Sequence, residues 1–115
     1  MSSTHHLIAA SRVKGQPVLS AGADRLGKID DLMIDKASGR IAYALMSFDG
    51  FMGLDKRYYP VPWSLLDYDV AKHAYLTPLT RDQIEAGHHV GDEEVENEIS
   101  WREGVHTYYG ALPYW

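Results

Sequence analysis

The sequence predicts a mainly β fold: a small, partly open barrel with two short C-terminal helices. Three observations carry that expectation. The run from Ile41 to Phe48, IAYALMSF, is apolar at odd and even positions alike, so a strand there is covered on both faces. Between Leu26 and Trp63, two turn-forming clusters divide the chain into three strand-like runs. Two helix-start signatures appear only after residue 79, once the strand patterns have ended.

A chain of 115 residues is read as one domain, able to bury roughly two-thirds of its unfolded surface in a single core. With 45% hydrophobic and 23% charged residues, it has the composition of a soluble globular protein. No cysteine is present, which excludes disulfides, thiolate metal sites and thiol nucleophiles. No apolar run approaches the ~20 residues that cross a bilayer, so no membrane span is expected. Residues 1–6 lack a basic segment leading into an apolar core, so no signal peptide is expected and the cytoplasm is the default compartment. The net charge of -5 is uneven: residues 1–72 sum to +1 and residues 73–115 to -6. An acidic tail repels phosphate backbones, so direct nucleic-acid binding is not expected.

Along the chain, Ser11 is placed to cap a short turn over Arg12, Val13 and Lys14 that Gly15 ends, before Pro17, Val18 and Leu19 begin a strand. In the turn formed by residues 21–24, Gly22 is the residue best suited to positive φ. From Gly27 to Asp35 the apolar phase shifts between Ile29 and the pair Leu32 and Ile34. One extra residue at Asp30 and Asp31 restores a common face, which predicts a β-bulge. Gly39 closes a four-residue hairpin loop with Lys36, Ala37 and Ser38. Pro60 and Pro62 each lack an amide donor on the same side, so the strand holding Tyr59, Val61 and Trp63 has one irregular or unpaired edge. A last hairpin pairs residues 66–68 with 74–76.

Thr80 and Gln83 form a capping box, with Leu79 and Ile84 as its hydrophobic staple, for a helix over residues 80–86 that Gly87 ends. Ser100 and Glu103 suggest a second box, opening a helix over 101–109 that Gly110 ends. Trp101, Val105 and Tyr109 fall four apart, giving that helix one apolar stripe. Residues 88–98 are polar and acidic and read as a surface linker. The ending, Ala111 to Trp115, is too aromatic for a disordered tail and is expected to bury.

Little chemistry stands out. Asp30 and Asp31 suggest a general acid/base pair, but adjacent strand residues point to opposite faces, so a structural role is preferred. His88 and His89 near Asp92 and Glu93 come closest to a metal cluster, yet no His-x-x-x-His spacing is present, and a solvated loop is the better reading. Ser47, Asp49 and His73 lack a nucleophile elbow. No catalytic residue, cofactor or metal is therefore expected. The glycine-rich loop after the central strand carries Phe51, Met52 and Leu54, which either fold back over the barrel mouth or form an exposed contact patch.

Three segments together carry a resemblance. They are LGKIDDL from Leu26 to Leu32, SGRIAY from Ser38 to Tyr43, and YPVPW from Tyr59 to Trp63. In their order and spacing the chain resembles the PRC-barrel family over about residues 10–80. That family includes the cytoplasmic domain of the photosynthetic reaction-centre H subunit and the C-terminal domain of a ribosome-maturation factor. The ending with Trp101, Tyr108, Tyr109, Gly110, Pro113, Tyr114 and Trp115 is similar to the tails of stand-alone bacterial members. Ala23 departs from the pattern, standing where the family usually has glycine; Gly22 is expected to take over that turn. The resemblance implies a small PRC-type barrel at 10–80, a helical and aromatic extension at 81–115 packed on it, and a use in protein contacts. It supplies no catalytic residues.

Two functions of different class follow as expectations. The first is a non-enzymatic adaptor of the cytoplasm, a homodimer with a further protein partner unknown. Its surface would comprise Phe51, Met52, Leu54, Tyr109, Tyr114 and Trp115, and the H-subunit resemblance points to support of an electron-transfer complex. The rival is a small-molecule- or metal-binding enzyme using the barrel mouth, which a deep pocket with convergent polar groups would favour.

Overall fold

A computed structural model describes residues 7–48 and 57–115 of the chain. In order, the elements are α1 (Ala10–Val13), β1 (Pro17–Leu19), β2 (Arg25–Ile34), β3 (Ile41–Phe48), β4 (Tyr59–Pro62), β5 (Asp67–Asp69), β6 (Ala74–Leu76), α2 (Arg81–Ala86) and α3 (Arg102–Tyr109). Short 3-10 turns lie at Trp63–Leu65, Asp92–Glu94 and Glu98–Ser100. The six strands form one sheet in the order β4-β3-β2-β1-β6-β5, antiparallel throughout except where β1 and β6 run parallel. Its two ends do not pair, so the barrel is partly open, as expected.

The sheet curls enough that residues from both ends share one core. Val18, Ile29, Ala44, Met46, Val61 and Tyr75 pack together, with Val13 of α1 and Ile84 of α2 closing the cluster. The bulge falls where the phase shift placed it, because the β2–β3 register jumps between Ile29 and Asp31. A second irregularity between Met33 and Ile34 was not anticipated, and it leaves Ile34 exposed instead of joining Ile29 and Leu32 inside. Gly27 has a steric reason: a Cβ there would drive into the Ser47 carbonyl of β3. Close pairing of the two longest strands therefore requires glycine at that position.

Several local expectations need correction. Ser11 lies inside α1, whose N-cap is Ala9. The left-handed residue of the β1–β2 turn is Ala23 itself, at φ 68°, and Gly22 does not take over. That turn is held by the Ala23 N–H on the Ser20 carbonyl and the Ser20 N–H on the Asp24 carbonyl, which pin the alanine in an unfavourable region. His73, at the tip of the β5–β6 hairpin, also has positive φ.

The first capping box forms as read. The Gln83 N–H donates to Thr80 Oγ1 at 3.1 Å, and Gln83 Oε1 accepts from the Thr80 N–H at 2.8 Å. Gly87 ends α2 but is not left-handed; a Cβ there would meet the Tyr108 and Tyr109 rings at 3.0 Å. The second box does not form. Ser100 belongs to the preceding 3-10 turn, where its hydroxyl donates to the Asn97 carbonyl, and α3 starts after Trp101 with no side-chain cap.

Candidate protein-contact face

β3 is covered on both sides, as its composition requires. The barrel side carries Ala44 and Met46; the outer side carries Tyr43, which is 1% exposed. The outer cover is α3 with the segment after it. Trp101, Val105 and Tyr109 form the expected stripe, with Trp101 and Val105 buried against Tyr43 and Val90. Trp101 is anchored by its Nε1–H, which donates to the Glu94 carbonyl at 3.0 Å. Residues 88–98 are thus more than a surface linker. Val90 is fully buried and exchanges two backbone hydrogen bonds with Tyr58, continuing the open edge beside β4. Seven of the eleven residues from 88 to 98 are charged or histidine, and the two valines among them, Val90 and Val95, gave no periodic signal.

Gly110 turns the chain back over α3. At φ 66° it is left-handed, its N–H reaches the Thr107 and His106 carbonyls, and the Ala111 N–H then bonds the His106 carbonyl. Tyr114 returns to meet the Tyr43 ring edge-on at 5.7 Å. Trp115 packs edge-on against His106 at 4.9 Å, with the Arg102 guanidinium 4.2 Å above the indole. Arg102 also donates to the Tyr114 hydroxyl at 3.2 Å. That hydrogen bond raises the guanidinium further above its already high range.

His106 was missed by the sequence reading. It sits one position off the Trp101–Val105–Tyr109 stripe, yet it is only 7% exposed. Its ring bridges the Tyr43 hydroxyl at 2.5 Å and the Ala111 carbonyl at 3.2 Å. Burial, with Tyr114 adding to it, pushes the Tyr43 phenol far above its usual range, so that group stays a hydrogen-bond donor.

Of the predicted contact residues, Trp115 is half exposed, while Tyr114 and Tyr109 are half-buried. The Tyr109 hydroxyl is enclosed beneath Gly87 without a hydrogen-bond partner, and burial pushes it up to about 12. The expectation that the whole ending buries is corrected by Leu112, which is 89% exposed. Phe51, Met52 and Leu54 lie outside the described residues. A hollow of about 350 Å³ is lined by Glu103, His106, Thr107, Ala111, Pro113 and Trp115.

A second arrangement lies at the bulge. Asp30 and Asp31, read as pointing apart, line the same cleft of about 560 Å³ with Lys14, Tyr58, Asp92 and Glu93. The physical reason is the bulge itself, which inserts Asp30 as an extra residue and cancels the strict alternation of side chains. One Asp30 carboxylate oxygen is buried without a partner, and Asp31 accepts the Leu32 N–H. A hydrogen bond to Asp92 is the main cause that pushes the Tyr58 phenol up to about 12. No histidine or serine among the described residues lines this cleft. Among the described residues, no group of three or more His, Asp or Glu side chains is placed to hold a metal ion. His89 instead packs on the Tyr59 ring at 5.8 Å.

Among the described residues, no helix is long and apolar enough to cross a membrane. A family model described as the PRC-barrel domain matches residues 5–84, the barrel and the first part of α2, and stops short of α3 and the aromatic ending. No curated protein matches the chain. The match spans well over half of the chain, and the chain belongs to the PRC-barrel family.

Proposed function

We propose that the chain is a non-catalytic protein-contact module that acts through the face built by α3 and residues 111–115, and that its first partner is a second copy of itself. One observation carries this reading: Trp115 is half exposed yet held in place, stacked under Arg102, which is itself tied to Tyr114. Trp, Tyr and Arg are the residues that dominate interface energetics, and a preorganised side chain loses less entropy on binding. Leu112 projects beside them and adds apolar area that the chain's own fold leaves uncovered. In this reading the protein is an adaptor of the cytoplasm. Its resemblance to the reaction-centre H subunit makes electron-transfer complexes the first assemblies to screen for a further partner.

The enzyme reading has the acidic cleft in its favour, because carboxylates converge there. Among the described residues its lining brings no imidazole, hydroxymethyl or thiol group to those carboxylates, so the contact module is preferred. A benzophenone side chain placed at Leu112, and separately at Val70 on the β5–β6 hairpin, tests the choice. Two differently tagged copies should crosslink to each other from position 112 and not from position 70. Equal crosslinking from both, or none from 112, contradicts the reading.

A further inference from the structure

One pair inside the aromatic cover is not used by the contact-face reading. We propose that Tyr43 and His106 form an acid-sensitive clasp, which holds residues 111–115 on the barrel while His106 is neutral and loosens when the imidazole gains a proton.

Hydrogen-bond roles follow from chemistry. The Ala111 carbonyl only accepts, so the His106 nitrogen 3.2 Å away, Nδ1, carries the hydrogen. A neutral imidazole then has a bare Nε2, and that nitrogen accepts the Tyr43 O–H at 2.5 Å. One ring therefore ties β3 to the start of the ending segment. The Ala111 N–H bond to the His106 carbonyl adds a second tie at the same place.

A proton on Nε2 turns the acceptor into a donor. Two hydrogens then face each other, and the Tyr43 hydroxyl must rotate. At 1% exposure it has no other hydrogen-bond partner among the described residues, and a buried donor without an acceptor is costly. The new charge is also poorly placed. From β3 the ring faces Tyr43, and from the ending it faces Tyr114, both uncharged. Its own helix contributes the Arg102 cation, stacked on the same Trp115 ring that packs on His106. Glu103 lines the adjoining hollow but is exposed to water, and Glu98 acts on Tyr43 and Arg102. Neither carboxylate forms an ion pair with His106 among the described residues. Histidine is the side chain whose charge ordinarily changes between about pH 5 and 8, so that interval is where the clasp is to be tested.

The segment released is the one that carries Leu112, Tyr114 and Trp115. Loss of the contact face in acid rests on the reading proposed above, whereas the clasp is a property of a single chain and is tested on its own. Amide hydrogen exchange of the full-length protein, kept dilute and corrected for intrinsic rates, is compared at about pH 7.5 and about pH 5.5, on either side of ordinary histidine titration. Protection of residues 111–115 should fall several-fold in acid while the β2 and β3 amides hold. In His106→Gln the two conditions should match. Tyr43→Phe, which keeps the ring but removes the donor, should lower protection already at about pH 7.5 and leave a smaller further fall in acid than the native sequence shows. Unchanged protection in the native sequence overturns the clasp, and so does an acid-dependent fall that persists in His106→Gln. If His106→Gln does not fold, an acid-dependent fall as large in Tyr43→Phe as in the native sequence overturns it.

Discussion

On the barrel side of β3, Ala44 and Met46 meet Ile29, Val18 and Val61, all fully buried and without a polar atom in their side chains. On the outer side, Tyr43 meets Trp101, His106 and Tyr114, and these contacts include directed hydrogen bonds and a half-exposed rim. The same strand thus separates two kinds of cover. The aliphatic side gains from burial and close packing, which depend little on direction. The aromatic side depends on geometry, because a misplaced Tyr43 or His106 leaves a buried polar atom unpaired. Stability should therefore concentrate on the first side and adjustable contacts on the second.

The largest effect should come from the aliphatic side. Ile29→Ala removes buried methyls at the bulge and should cost about 2–5 kcal/mol in urea denaturation. By contrast, Trp115→Ala should cost only about 1 kcal/mol, the scale of one exposed cation–π contact. Equal losses would erase the distinction. Tyr43→Phe sharpens it, because volume is almost unchanged while His106 Nε2 loses its donor; a loss of about 1–3 kcal/mol is expected from an unsatisfied buried group. A loss near zero would mean that directed bonds do not hold the outer cover. The smallest effect concerns neither face. Ala23→Gly relieves a left-handed alanine in the β1–β2 turn and should raise stability by about 1 kcal/mol, read as a higher melting temperature.

How much of this was legible depended on whether the signal was local. The bulge at Asp30, the capping box of Thr80 and Gln83, the hairpin loop closed by Gly39 and the end of α3 at Gly110 each depend on a few neighbouring residues, and each formed as read. The failures needed non-local information. The bulge turns Asp30 and Asp31 to one side, but the cleft they line exists only with Asp92 and Glu93, some sixty residues later. Val90 is core only because the proline-bearing β4 leaves an edge to fill. His106 is a bridging residue only because Gly110 reverses the chain onto it. Ala23 failed differently: propensity favoured Gly22, and the hydrogen bonds from Ser20 decided the register of the turn instead. The outer face was partly visible as an apolar stripe at Trp101, Val105 and Tyr109, while its directed polar contacts were not.

The central claim is that the outer cover presents a contact face for a second copy, and sedimentation equilibrium tests it most directly. The native chain should sediment, as its concentration rises, toward twice its 13.0 kDa mass. A variant carrying Leu112→Ser and Trp115→Ser should remain at the single-chain mass with its sheet intact by circular dichroism. A native chain that stays at the single-chain mass at every concentration, or a variant that pairs as the native chain does, would contradict the account.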